Sequence, residues 1–195
     1  MNFSTGVSIA GGGILVLAIL LLWAKSSADS TAPLRSYPSI PAITTATLSK
    51  VPDTELLDRI YLECLRRIYN ANKGFLAGPE VLGEQACHLW VIAMLEERLL
   101  LEGFRSVIKD ERTSGSTPLS PSLDQLRKAY LGLGLEVPGE LIQEALSIQD
   151  PGDEDRDPYA RIASRFRKAV GSGTNSIRLA YAKRRINQLF PDSKP

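Results

Sequence analysis

The sequence predicts an all-α protein with an N-terminal transmembrane helix, a linker, and a compact bundle of about six helices. Three observations carry this expectation. Residues 1–24 contain an uncharged run about as long as a bilayer core is thick. Residues 25–50 are dominated by Ser, Thr, Ala and Pro without helical periodicity. From residue 51 to 195 apolar side chains recur at helical spacing, and no segment alternates as a strand would.

Residues 7–24 read VSIAGGGILVLAILLLWA. A helix rising about 1.5 Å per residue would span roughly 27 Å here, close to the hydrocarbon thickness. It would also satisfy its own backbone, as lipid demands. Trp23 stands at the end of the run, where an aromatic ring meets the headgroups. Gly11, Gly12 and Gly13 either reflect the tolerance of membrane helices for glycine or offer a face to a partner helix. The competing reading is a cleaved signal peptide, because Ser26, Ser27 and Ala28 are small enough for a cleavage site. No charged side chain precedes the run, whereas Lys25 and Arg35 follow it. Basic residues tend to stay in the cytoplasm, so the anchor reading points to a cytoplasmic C-terminal domain and the signal-peptide reading to export.

In the linker, Pro33, Pro38 and Pro41 stiffen a polar chain that holds the folded part off the lipid. A stalk of this composition could carry glycans in an exported protein; a plain tether is the simpler reading. The remaining 145 residues suit one domain, which can bury about two-thirds of its unfolded surface without disulfide staples. Cys64 and Cys87 both fall in helical patterns. They read as two buried free thiols, which suits a reducing compartment, with a disulfide between neighbouring helices as the alternative.

Each helix has its signals. In the first, Asp53 is a candidate N-cap and Glu55 favours the first turn. Leu57, Ile60, Tyr61, Cys64, Leu65 and Ile68 then mark one face. The second runs from near Pro79 to Gly103, and its middle, ACHLWVIAML, is apolar on nearly every side, as expected of a central helix. Ser122 and Gln125 form a capping-box pattern opening a third, which Gly132 or Gly134 ends. Pro138 starts a fourth and Asp157-Pro158 a fifth, striped with Tyr159, Ile162, Phe166 and Val170. The break GSGTN precedes a sixth, with Ser176 as its cap.

No catalytic constellation is legible. His88 is the one histidine, without an HExxH or CxxC partner, and reads as structural. No phosphate-loop or dinucleotide motif occurs, and the GSG before the last helix reads as a plain turn. No metal or cofactor is therefore expected. Glu97 is the notable carboxylate. Phased at about 100° per residue from Leu82, it lands on the apolar face, where a carboxylate is costly unless it is paired or reached by water. It is a polar site at the end of the central helix, half of a buried ion pair, for example with an arginine from helix five, or a local end of the core. Glu96 reads as its solvated neighbour.

Charge is balanced overall and segregated locally. Seven acids from Glu136 to Asp155 carry no intervening base. Arg161, Arg165, Arg167, Lys168, Arg178, Lys183, Arg184 and Arg185 then form a basic candidate patch. The two blocks either face each other or solvate the surface; alternatively the basic one meets anionic lipid or nucleic acid. The last two helices could mimic a helix-turn-helix, although the break between them is longer than the usual turn.

Residues 89–108, LWVIAMLEERLLLEGFRSVI, resemble the bacterial DNA-mimic-protein-like domains of unknown function. In that family a helix bearing a glutamate leads into an Asn-Gly-Gly-Phe turn. Gly103-Phe104 matches the end of the signature, while Leu101 and Glu102 stand where Asn and Gly would be. Glu97 is one position out of register with the family glutamate. Downstream, LRKAYLGLGLEVPGELIQEAL resembles the family's short helix, glycine and second helix. The resemblance implies an all-α bundle that binds protein rather than catalysing, and makes Glu97, Gly103 and Phe104 candidate site residues. One branch imitates DNA through an acidic surface. With 20 bases against 21 acids from residue 51 onward, that property does not transfer.

The expected protein is thus a single-pass membrane protein carrying a non-enzymatic protein-interaction module. The alternative is a nucleic-acid or anionic-lipid binder using the basic C-terminal helices.

Overall fold

The computed structural model describes residues 43–70, 81–114, 121–148, 157–171 and 173–190. All belong to one compact unit. The expected membrane segment, residues 7–24, and the linker through residue 42 lie outside the described residues. Among those described, no helix is long and apolar enough to cross a membrane.

The described residues form eight helices and no strand, which makes the domain all-α. They are α1 (Thr45–Leu48), α2 (Asp53–Asn70), α3 (Glu84–Ser114), α4 (Leu123–Gly132), α5 (Glu136–Leu146), α6 (Tyr159–Val170), α7 (Thr174–Arg184) and α8 (Ile186–Leu189). The apolar α3 is central and packs against α2, α4, α6 and α8. Trp90, Phe104, Tyr130, Phe166 and Phe190 are the largest side chains of one continuous core.

The compact unit begins before residue 51. Thr44 accepts a hydrogen bond from the Thr47 amide and so caps α1, whose Leu48 is buried in the core. One turn is too short to show helical periodicity, so these residues read as linker in the sequence.

Gly103 ends a helical run as expected, because its φ of 80° and ψ of 165° suit glycine. The chain then turns and resumes as helix to Ser114. Phe104 drops into the core and meets Phe166 edge-on, with centroids 5.3 Å apart. Ser122 and Gln125 form the expected capping box on α4. Gly134 takes the left-handed position after α4 at φ 77°, and the Leu135 amide returns to the Tyr130 carbonyl. Helix α5 starts at Glu136, with Pro138 inside its first turn, where a missing amide donor costs little. The expected Ser176 cap is not formed. The last long helix opens at Thr174, and the Ser176 hydroxyl donates to the Gly173 carbonyl instead.

Candidate functional site

Two carboxylates, one fully and one largely buried, organise the domain, and neither is Glu97. The first is Glu63, fully buried on α2. Arg66 Nε donates to it at 2.7 Å and Arg67 Nε at 2.9 Å, one turn along the same helix. The Ile43 amide completes the set at 3.1 Å. Burial alone would raise the Glu63 pKa, but the two arginines and the amide outweigh it and hold the carboxyl below its ordinary value. Arg67 also lies 4.7 Å over the Phe190 ring, and the Thr45 hydroxyl donates to the Phe190 carbonyl. Glu63 therefore ties the start of the domain to its last helical turn.

The second is Glu96, on the central helix, its side chain only 13% exposed. The Arg178 guanidinium from α7 pairs with it, and the Tyr130 hydroxyl from α4 donates to the same carboxylate oxygen. Arg178 is 8% exposed and reaches Asn175 Oδ1 at 3.3 Å through its other terminal nitrogen. Burial would lower the Arg178 pKa, but Glu96 outweighs it and keeps the guanidinium charged. Burial pushes the Tyr61 phenol up to about 12 and raises that of Tyr130 still further, so both stay protonated. The network fastens α7, whose main packing is on α2, to the central helix and to α4.

Beside this network lies a polar cleft of about 280 Å³, lined by Glu96, Val170, Gly171, Thr174 and Asn175. The Thr174 hydroxyl is buried and donates to the Val170 carbonyl, so it closes the α6–α7 junction. A shallow apolar hollow of about 330 Å³ lies where the domain begins, between Ile43, Val51 and Pro52. Among the described residues no group of His, Cys, Asp or Glu is gathered as a metal would require.

The sequence-derived candidates separate in space. Glu97 is half-buried, Gly103 is a backbone break, and Phe104 is core. An ion pair of the kind expected for Glu97 is formed one residue earlier, by Glu96 with Arg178 of α7 rather than with an arginine of α6, the fifth helix expected from the sequence. The reason is narrowing of the buried surface along α3. Leu89, Trp90, Val91 and Ile92 are all buried, so the helix is enclosed on every side there; further on Leu95 and Leu99 mark the core side, about 180° around from Ala86. Leu82, the phasing reference, precedes the helix altogether.

The basic patch also divides. Arg178 is buried against Glu96. Lys183 meets Asp53 at 2.6 Å and Arg165 meets Glu144 at 2.7 Å. The latter pair shows the acidic and basic blocks facing each other at one point. Arg185 lies 5.5 Å over the Tyr181 ring. Arg161, Arg167, Lys168 and Arg184 are exposed.

His88 sits at a helix crossing. Its Nδ1 is 3.3 Å from the Tyr181 hydroxyl, and burial lowers its pKa. A methyl group at Gly132 would come within 2.4 Å of its ring, so α4 approaches α3 this closely only because residue 132 is glycine. Neither cysteine is in a disulfide; Cys64 is buried and Cys87 half-buried. Burial also raises the Cys64 pKa, which keeps that sulfur unreactive.

No family model matches the chain, no curated protein is detectably similar to it, and no solved structure matches it.

Proposed function

We propose that this chain is a membrane-held helical module that acts by binding another protein. Residues 7–24 supply the anchor and residues 25–42 the tether, with the domain on the cytoplasmic side. The fate of the two buried carboxylates supports a binding role. Glu63 is held by two arginines and the Ile43 amide, and Glu96, although it lines the polar cleft, is held by Arg178 and the Tyr130 hydroxyl from two other helices. Such groups shape a scaffold, whereas a general acid or base keeps a proton path to a substrate. The exposed surface meanwhile retains apolar side chains, with Leu101 76% and Val137 57% exposed, which a partner could cover.

The test uses the full chain in its own membranes. Carbonate washing should leave it in the pellet, and deletion of residues 7–24 should release it. Chemical crosslinking in those membranes should yield one discrete heteromeric product, reduced by Leu101→Glu or Val137→Glu. Crosslinks to self alone, or none, would contradict the binding role.

A further inference from the structure

The basic candidate patch does not survive folding as one surface, and the part that does is a single helix face. From position 158 to 190 the chain has no acidic residue. On α7 and at its end, Arg178, Lys183 and Arg185 are engaged by Glu96, Asp53 and the Tyr181 ring. On α6 the outcome differs. Its outward residues are Ala160, Arg161, Ser164, Arg165, Arg167 and Lys168, all exposed, while Tyr159, Ile162, Phe166 and Val170 face the core. At about 100° per residue the six outward positions fill an arc of roughly 160°. Four of them are basic and the other two small. Among the described residues only Arg165, at the edge facing α5, has an acidic partner, Glu144.

We infer that this face of α6 docks on anionic lipid headgroups at the membrane that holds the chain, an inference that rests on the anchor proposed above. Three features favour lipid. The arc is cationic without a large apolar side chain, so it suits surface contact rather than insertion. Ala160 and Ser164 leave room for the long basic stems to lie flat between them. The 18 residues from 25 to 42 reach at most about 65 Å when fully extended, which keeps the domain at high effective concentration beside the bilayer. A basic residue near an anionic surface contributes about 1 kcal/mol, or about five-fold in the docked-to-free ratio.

The experiment places the full chain in vesicles of phosphatidylcholine, with or without phosphatidylserine. A fluorophore at Ser164→Cys, on a Cys87→Ser background, reports contact with headgroup-nitroxide lipid; buried Cys64 escapes labelling. Quenching should appear with phosphatidylserine, be weak without it, and fall as salt rises. Arg161→Glu with Lys168→Glu should lower the docked-to-free ratio at least about 25-fold at unchanged thermal stability. Arg184→Glu, outside the arc, should leave it within about two-fold. Equal quenching in both vesicles, or none in the anionic ones, overturns the inference. Carbonate resistance without quenching would leave the anchor standing and remove the docking alone, while carbonate extraction removes both. Displacement of the face from lipid by double-stranded DNA at equal charge concentration would reassign it to nucleic acid.

Discussion

Glu63 and Glu96 are both buried glutamates held by arginine, yet they do different jobs. The Glu63 partners Arg66 and Arg67 lie three and four residues along the same helix, with side chains 20% and 25% exposed. The Glu96 partner lies 82 positions away on another helix and is 8% exposed. What matters in each case is the group left behind when the carboxylate is removed. Without Glu63 both arginines can turn to water. Without Glu96, Arg178 is stranded among Tyr61, Tyr130 and the core. A local cluster therefore fastens one segment, whereas the long-range pair holds the packing of three helices.

The largest expected effect follows from that asymmetry. Glu96→Leu should destabilise the domain by about 3–5 kcal/mol in denaturant unfolding, because it leaves an unpaired buried charge. Adding Arg178→Met should recover most of that loss; a double variant no better than the single would mean the pair is not coupled as described. Glu63→Gln should cost less, about 1–3 kcal/mol. Its signature should be local, with faster hydrogen exchange at the Ile43 amide and at α1 while α4 and α5 stay protected. Uniformly faster exchange would erase the distinction between the two sites.

Gly132→Ala should cost about 1–2 kcal/mol by forcing the His88 ring aside, and His88→Ala should relieve it. The smallest effect is on acid stability. Glu63 has a depressed pKa when folded, so its contribution is complete above the ordinary glutamate value and is lost as pH falls through the lower folded one. His88 also has a depressed folded pKa, so stability falls earlier, as pH drops below the ordinary histidine value near 6.5. His88→Asn should abolish the earlier decline and leave the later one, which a pH series of melting curves would show.

Much of the helix pattern was legible because it rests on local chemistry. The Ser122–Gln125 capping box, the glycines at 103 and 134, and the stripe of α6 all behave as their spacing implies. The Glu63 cluster is equally local, at spacings of three and four, but such spacings occur as readily on solvated helix faces, so the sequence does not mark Glu63 as buried. Phasing from Leu82 points to Glu97 and not to Glu96 for a physical reason: a central helix has no single buried face, so phase measured at one end fails at the other. The Glu96 partner Arg178 looked like surface charge, since nothing near it in the chain marks it as buried. α1 is not legible in the sequence because one turn carries no period.

The proposal that residues 7–24 hold the helical domain at a membrane is tested most directly by N-terminal sequencing of the carbonate-washed membrane and soluble fractions. An uncleaved N-terminus in the pellet is the expected result. A chain beginning just beyond Ala28 and recovered in the soluble fraction would contradict it.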